Sequence, residues 1–342
     1  MEIHGGRQCQ DGRRSPYIKD KERTERMIAD DLQALGMKGR DFLGLADYTP
    51  EEIRQLIDLG IELKNLNKAG EAFRPLAGKT LGMIFEKSST RTRVSFEVGM
   101  YQLGGHALFL SRNDLQIGRG EIIPDTAGVL SRYLDGIMIR TFGHQIILDL
   151  AEHAAVPVIN ALTDYSHPCQ ALADYMTVLE HKGRLAGLKI AFIGDGNNMA
   201  HSLMIGGAKL GLHVAIASPE GYLPDASVQA ETRRIAAETG GSLVVTGDAR
   251  EAIAAADVVY TDVWASMGFE EEQKIREQAF AAFQVNEELA ELAKPDYVFL
   301  HCLPAHRGEE VTAGVIDSKH SIIFDEAENR LHAQKAIMAA LM

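Results

Sequence analysis

The chain has little cysteine, a single tryptophan and no long apolar run, and the first and last of these exclude whole classes of protein. Its three cysteines, Cys9, Cys169 and Cys302, lie far apart, so they form neither a disulfide framework nor a Cys-x-x-Cys metal signature. A reducing cytoplasm is the expected compartment. No apolar stretch approaches the roughly 18 residues of a membrane span, and the N-terminus lacks the apolar block of a secretory signal. Neither membrane association nor export is expected. Basic charge is also scarce: 35 Lys and Arg stand against 48 Asp and Glu, a formal net charge of -13. That field opposes nonspecific binding to nucleic acid or anionic lipid, so a phosphate must be caught by a local basic cluster and its carrier is expected to be small.

What is present is a globular composition, 46% hydrophobic and 24% charged over 342 residues, a length that makes two domains the natural prior. Residues 1–36 hold seven Lys/Arg and seven Asp/Glu with few apolar side chains before Ile28, Leu32 and Leu35. They read as a poorly ordered extension, with a weak amphipathic helix near residues 22 to 35. A first domain is expected over 37–182, a second over 183–324, and a C-terminal helix over 325–342 packing back on the first. From Thr49-Pro50-Glu51-Glu52 onward, helices alternate with short apolar runs. The expected strands are Thr80 to Phe85, His106 to Leu110, Gly136 to Ile139, Val156 to Ile159, Leu188 to Ile193, His213 to Ala217, Leu243 to Thr246, Val258 to Thr261, Tyr297 to Leu300 and Ile322 to Phe324. A long helix spans about His167 to Lys182. Strands separated by helices predict an α/β protein with two parallel sheets flanked by helices, and with its site in the cleft between them.

Every polar cluster follows one of these strands, where ligands bind in open α/β sheets. Ser88-Ser89-Thr90-Arg91-Thr92-Arg93 opens a helical segment after the first strand. Unpaired helix N-H groups, hydroxyls and two guanidiniums gathered on one turn suit a phosphate. The plainer reading, an N-cap with two solvated arginines, fits a lone Ser-x-x-Arg better than this run. Arg140-Thr141 ends the third strand. Gly194-Asp195-Gly196-Asn197-Asn198-Met199 resembles the start of a dinucleotide fingerprint but has Met199 at the third glycine and no acidic partner, which favours a turn presenting asparagine amides to a small polar ligand. His167 and Gln170 lie three apart around Pro168, as a helix cap or as holders of a carbonyl and an amide. Asp262-Val263-Trp264-Ala265-Ser266-Met267-Gly268 and His301-Cys302-Leu303-Pro304 complete the set. The latter lacks the further ligands of a metal site at typical spacing, so no metal is expected.

Taken in order, Ser-Thr-Arg-Thr-Arg, His-Pro-Cys-Gln, the Ser-Met-Gly loop and His-Cys-Leu-Pro resemble the aspartate/ornithine carbamoyltransferase family, the last two its ornithine-using branch, from about Met37 to the C-terminus. The resemblance implies that Ser89, Thr90, Arg91 and Thr92 hold the phosphate of carbamoyl phosphate. Arg140 would reach phosphate and carbonyl oxygen, and His167 and Gln170 the carbamoyl end. Gln116 would reach a neighbouring subunit's site in a homotrimer or an assembly of trimers. Asn198, Asp262, Ser266 and Met267 would bind the amino-acid end of L-ornithine, with Cys302, Leu303 and Arg330 at the remaining positions.

The implied reaction is direct attack of ornithine's δ-amine on carbamoyl phosphate through a tetrahedral intermediate, giving L-citrulline and phosphate in arginine biosynthesis or catabolism. It calls for no cofactor, and Cys302 would orient the amine rather than be acylated. Competing readings are a carbamoyltransferase for putrescine, N-acetylornithine or aspartate, a nucleotide-dependent oxidoreductase using Gly194 to Asn198, and a catalytically silent paralogue. Asp262 with the Ser-Met-Gly loop argues for a free α-amino acid.

Overall fold

The computed structural model describes residues 32–116, 120–265 and 270–342. The helix expected near residues 22 to 35 lies largely outside them, although residues 32–34 are helical. The first half runs α1 (Pro50–Lys68), β1 (Thr80–Phe85), α2 (Thr90–Gln102), β2 (His106–Ser111), α3 (Ile123–Leu130), β3 (Gly136–Arg140), α4 (His144–His153) and β4 (Val158–Leu162), before the connecting helix α5 (Pro168–Lys182). The second half runs β5 (Lys189–Ile193), α6 (Asn198–Lys209), β6 (His213–Ala217), α7 (Ala226–Thr239), β7 (Ser242–Thr246), α8 (Ala249–Ile253), β8 (Val258–Thr261), α9 (Gln273–Phe280), α10 (Glu287–Ala290), β9 (Val298–Leu300), α11 (Ala313–Ile316) and α12 (Ile323–Leu341).

Both sheets are parallel, ordered β2-β1-β3-β4 and β7-β6-β5-β8-β9. In each the chain builds outward in one direction and then in the other, which leaves a switch point between β1 and β3 and another between β5 and β8. Crevices open at the carboxyl ends of such strands. The registers that reach these ends pair Phe85 with Arg140 and Ile193 with Thr261. The β3-β4 register shifts between Ile139 and Arg140, a local irregularity at the strand end that carries the functional side chain.

Helix α5 explains how two sheets form one molecule. Pro168 suits its first turn, where the missing N-H costs nothing, and Gly183 ends it at φ 70, a conformation that penalises a side chain. Between these ends nearly every residue is buried. A helix buried on nearly every side, its polar Gln170, Asp174 and Thr177 included, belongs between packed layers. It packs against α1, α6 and α12, and α12 returns to cover α1 and α2. One apolar cluster therefore runs from Phe42 and Met83 through Tyr175 and Met176 to Phe192 and Tyr260. Leu32 and Leu35, placed by the sequence in the extension, also pack against it.

One expected strand is absent. Ile322 is the N-cap of α12, and Ile323, buried, and Phe324, 76% exposed, open the helix. Three consecutive apolar residues mimic a buried strand, but Asp325 and Glu326 follow in what is a helix first turn, where carboxylates offset the dipole. Only Ser321 bridges the sheet, to Phe299.

Candidate active site

The two switch points face a cavity of about 710 Å³. Ser89, Thr90, Arg91, Thr92, Arg140, His167, Gln170, Asn198, Asp262, Cys302, Leu303 and Arg330 all line it. Gln116 is exposed on the loop after β2 and is not among the lining residues. Ser266 and Met267 lie outside the described residues.

On the first-sheet side, β1 delivers the chain to α2. Ser89 caps the helix, its hydroxyl accepting from the Thr92 amide at 3.2 Å. Earlier first-turn amides have no helical carbonyl to take them, and the dipole's positive end favours an anion there. Arg140 from β3 and Arg330 from α12 are 7% and 3% exposed, and Arg91 completes a trio of guanidiniums. Burial, with Arg330 and Arg91 nearby, pushes the Arg140 guanidinium down to about 10, so it stays charged at neutral pH. Arg140 Nε, Arg330 Nε and His167 Nδ1 are buried without a protein partner. Each buried unpaired group costs about 1–3 kcal/mol, which is recovered when an anionic or carbonyl ligand meets it.

His167 sits at the entry to α5, its backbone amide donating to Ser202 Oγ at 2.8 Å. Burial, reinforced by Arg330, Arg140 and Arg91, holds its imidazole well below the usual histidine range. The ring is neutral and presents one donor and one acceptor.

The second sheet supplies the opposite wall. Asn198 begins α6 and donates to the Thr163 carbonyl at 2.6 Å. Asp262 follows β8 and Cys302 follows β9, with the thiol donating to Asp262 Oδ1 at 3.0 Å. Burial, and then the Asp262 charge, raise the thiol well above its usual range. Leu303 sends its carbonyl to Arg91, 2.5 Å from the guanidinium, closing a polar contact across the cavity. Asp262, His301 and Cys302 do bring ligand-type atoms within 4.8 Å of one another. Both His301 nitrogens are engaged, however: Nδ1 accepts from the Leu303 amide at 2.9 Å and Nε2 faces Glu310 Oε1 at 3.1 Å. Asp262 and Cys302 bond to each other, and His301 bonds to Leu303 and Glu310.

The glycine-rich turn after β5 serves packing. A Cβ on Gly196 would lie 2.2 Å from the Pro224 nitrogen, so the glycine admits a neighbouring loop. Asp195 is paired with Arg276 at 2.6 Å. This counts further against the dinucleotide reading.

Lys87 was missed from the sequence. It lines the cavity 6% exposed, its ammonium 2.8 Å from Asp164 Oδ1 and 4.3 Å from the Phe142 ring centroid. Its place just before the Ser-Ser-Thr-Arg run was the available signal. Asp174 and Glu326, buried behind Gln170, had none.

Comparison with known proteins agrees with this geometry. Residues 40–180 match the family model of the aspartate/ornithine carbamoyltransferase carbamoyl-P binding domain, and residues 186–341 that of the Asp/Orn binding domain. A protein named ornithine carbamoyltransferase from Anoxybacillus flavithermus is 64% identical over 306 residues, 90% of this chain and 98% of that protein. One from Pyrococcus furiosus, named anabolic, is 58% identical over 308 residues, 90% of this chain and 98% of its own length. The solved structure of ornithine carbamoyltransferase from Pyrococcus furiosus superposes with a TM-score of 0.88 at 58% identity, covering 90% of this chain and 98% of that one.

Proposed function

The chain belongs to the aspartate/ornithine carbamoyltransferase family, and we propose that it transfers the carbamoyl group of carbamoyl phosphate to the δ-amine of L-ornithine, giving L-citrulline and inorganic phosphate. The observation that carries this reading is the convergence of Arg91, Arg140 and Arg330 on the N-terminus of α2, opposite Asn198, Asp262 and Cys302, in one cavity. The names of the relatives support the choice of ornithine.

Phosphate binds at Ser89, Thr90, Arg91 and Thr92, with Arg140 bridging to the carbonyl oxygen. Neutral His167 donates to that oxygen, and Gln170 meets the carbamoyl amide. Asn198 and the Met267 backbone take the α-carboxylate of ornithine, and Asp262 with Ser266 its α-ammonium. The δ-ammonium, lysine-like with a free pKa of about 10.4, must lose a proton before attack. Cys302 and the Leu303 carbonyl aim the resulting amine at the carbamoyl carbon. As the tetrahedral intermediate forms, charge grows on the carbonyl oxygen beside Arg140 and His167. Collapse then moves charge to the leaving phosphate beside Arg91 and the helix N-terminus. Interactions that strengthen along this path lower the barrier.

A homotrimer in the cytoplasm, serving arginine metabolism, is part of the same reading. Gln116, exposed and off the cavity of its own chain, suits a role in a neighbouring subunit's site. The residues before Met37 form an extension, 37–182 the carbamoyl phosphate domain, 183–324 the ornithine domain and 325–342 a closing helix. Putrescine, with no carboxylate, and N-acetylornithine, with no α-ammonium, each leave part of the second wall unmatched. Citrulline formation from carbamoyl phosphate and ornithine, with putrescine, N-acetylornithine and aspartate assayed in parallel, tests the proposal. A faster reaction with any of the other three would overturn the choice of substrate.

A further inference from the structure

Behind the cavity, α5, β8 and α12 enclose two carboxyl groups. Asp174 and Glu326 are 1% and 0% exposed. The Tyr260 hydroxyl lies 3.2 Å from Asp174 Oδ2 and 3.2 Å from Glu326 Oε1. The carboxamide nitrogen of Gln170 lies 2.7 Å from Asp174 Oδ1 and 3.3 Å from Glu326 Oε1. The backbone amide of His301 donates to Glu326 Oε2 at 2.9 Å. Two carboxyls sharing partners this closely in an apolar interior do not both ionise. One proton stays with the pair, which keeps a single negative charge.

The arrangement dictates which way Gln170 points. On one side its carboxamide meets two carboxyl acceptors; on the other the Arg330 guanidinium lies 2.5 Å from Gln170 Oε1. Turned over, the amide would set its oxygen against carboxyl oxygens and its NH2 against a cation that only donates. With both amide hydrogens directed to the pair, the oxygen is the carboxamide atom left for the cavity that Gln170 lines; it accepts from Arg330, and a carbonyl oxygen has a second lone pair with which to accept from a ligand donor. Arg330 is held from the far side by Thr92 Oγ1 at 3.2 Å, which ties this orientation to the N-terminus of α2.

We propose that Asp174 and Glu326, holding one proton between them, are positioning residues that fix the Gln170 oxygen toward the cavity, so that the site selects a phosphorylated ligand bearing an N-H donor over one bearing a methyl group in its place. The inference rests on the carbamoyl phosphate reading of the cavity. Burial, the dominant influence, lifts both carboxyls, Asp174 to about 7. The other titratable groups facing the pair are Tyr260 from β8, Arg330 from α12, and Cys302 and Asp262 from the loops after β9 and β8. Tyr260 is held well above its usual range and stays protonated, leaving the pair as the group that titrates.

The test is binding to the full-length protein, by calorimetry, of three stable probes: inorganic phosphate, phosphonoacetamide, which carries the NH2, and acetonylphosphonate, which has a methyl group there. The wild type should bind the amide at least about tenfold more tightly than the ketone. Asp174→Asn and Glu326→Gln each imitate the pair with one carboxyl neutral and should keep that ratio within about threefold. The double variant loses the charge and offers Gln170 donors as well as acceptors, so its ratio should fall toward one while phosphate affinity persists. A folded double variant, checked by circular dichroism, that keeps the wild-type ratio would overturn the proposal alone. So would a wild type that binds both carbon analogues equally. No affinity for phosphate or either analogue would overturn the cavity reading, and the proposal with it.

Discussion

The Cys302 thiol donates to Asp262 Oδ1 across 3.0 Å, and the two residues hang from loops that follow neighbouring strands, β9 and β8. A half-buried thiol bonded to a carboxylate stays protonated, its pKa raised by desolvation and by the Asp262 charge, and only the thiolate is strongly nucleophilic. Cys302 is therefore expected to react with iodoacetamide far more slowly at pH 7.5 than a free thiol. No carbamoylated cysteine should accumulate when carbamoyl phosphate is added without ornithine. Cys302→Ala should lower kcat/KM for ornithine by roughly tenfold, the scale of one hydrogen bond. A mass shift on Cys302 during turnover would show a covalent route instead.

Arg140 stands among like charges, with Arg91 and Arg330 both opposing its protonated state. A bound anion would offset that repulsion. Arg140→Leu should reduce turnover by roughly a hundredfold or more, the scale of losing a preorganised transition-state donor. The same variant should melt at or above the wild-type temperature without ligand, and phosphate should no longer raise its Tm. Near-normal turnover would remove Arg140 from the mechanism, and the corresponding result for Arg91→Leu would remove Arg91.

The pH response of His167 has a definite sign. Its folded-state pKa is depressed, so at pH values below the unfolded value of about 6.5 the unfolded chain binds more protons and stability falls as pH drops. Its ring should stay neutral from pH 8 to 5.5 in nitrogen-15 NMR spectra. His167→Gln should lose less stability than the wild type between pH 6.5 and 5. His332, also depressed, to about 3, loads the same window in both proteins, so the difference isolates His167. Titration of the His167 ring near 6.5 would contradict a neutral donor to the carbonyl oxygen.

The cluster at the N-terminus of α2 was legible because it is local: a strand end, the capping Ser89 hydroxyl and Arg91 fall within six residues, whereas Arg93, counted with them in the sequence, is exposed and pairs with Glu97 at 3.0 Å. The substrate side was legible from Asp262 and Cys302 only through resemblance, since nothing in residues 40 apart predicts a 3.0 Å contact. Arg330 and Gln170 meet across 160 positions, and Glu326 and Asp174 are ordinary acidic residues on helices until folding hides them together. Ile322 to Phe324 misled because local hydrophobicity does not distinguish a strand from a helix entry. Sequence spacing recovers elements and single-loop clusters, while interior polar networks depend on how the helices pack.

The N-terminal boundary can be tightened by packing. Met37 is fully buried, the Gly39 amide donates to the Leu341 carbonyl at 2.8 Å, and Leu32 and Leu35 touch the core. Deleting residues 1–31 should leave Tm within a few degrees and the kinetic constants unchanged. Deleting through Gly36 should cost more stability, because buried apolar contacts are lost. Loss of activity in the shorter deletion, or a change in its oligomeric state, would show that the extension has a working part.

Amino-acid selection turns on Asp262. If its carboxylate pairs with the α-ammonium while Asn198 takes the α-carboxylate, both ends of the zwitterion are read and the δ-amine is left aimed at the carbamoyl carbon. Putrescine then leaves partners unsatisfied, at about 1–3 kcal/mol per buried group. The enzyme should prefer ornithine by roughly tenfold to a hundredfold in kcat/KM. Asp262→Asn should weaken ornithine use far more than phosphate affinity, because on the proposed reading the two ligands occupy opposite walls. The variant should also close the gap between ornithine and putrescine, since the residue that tells them apart has lost its charge. Equal use of the two diamines by the wild type, or unchanged ornithine kinetics in the variant, would take Asp262 out of substrate choice and shift that role to the loop that follows it.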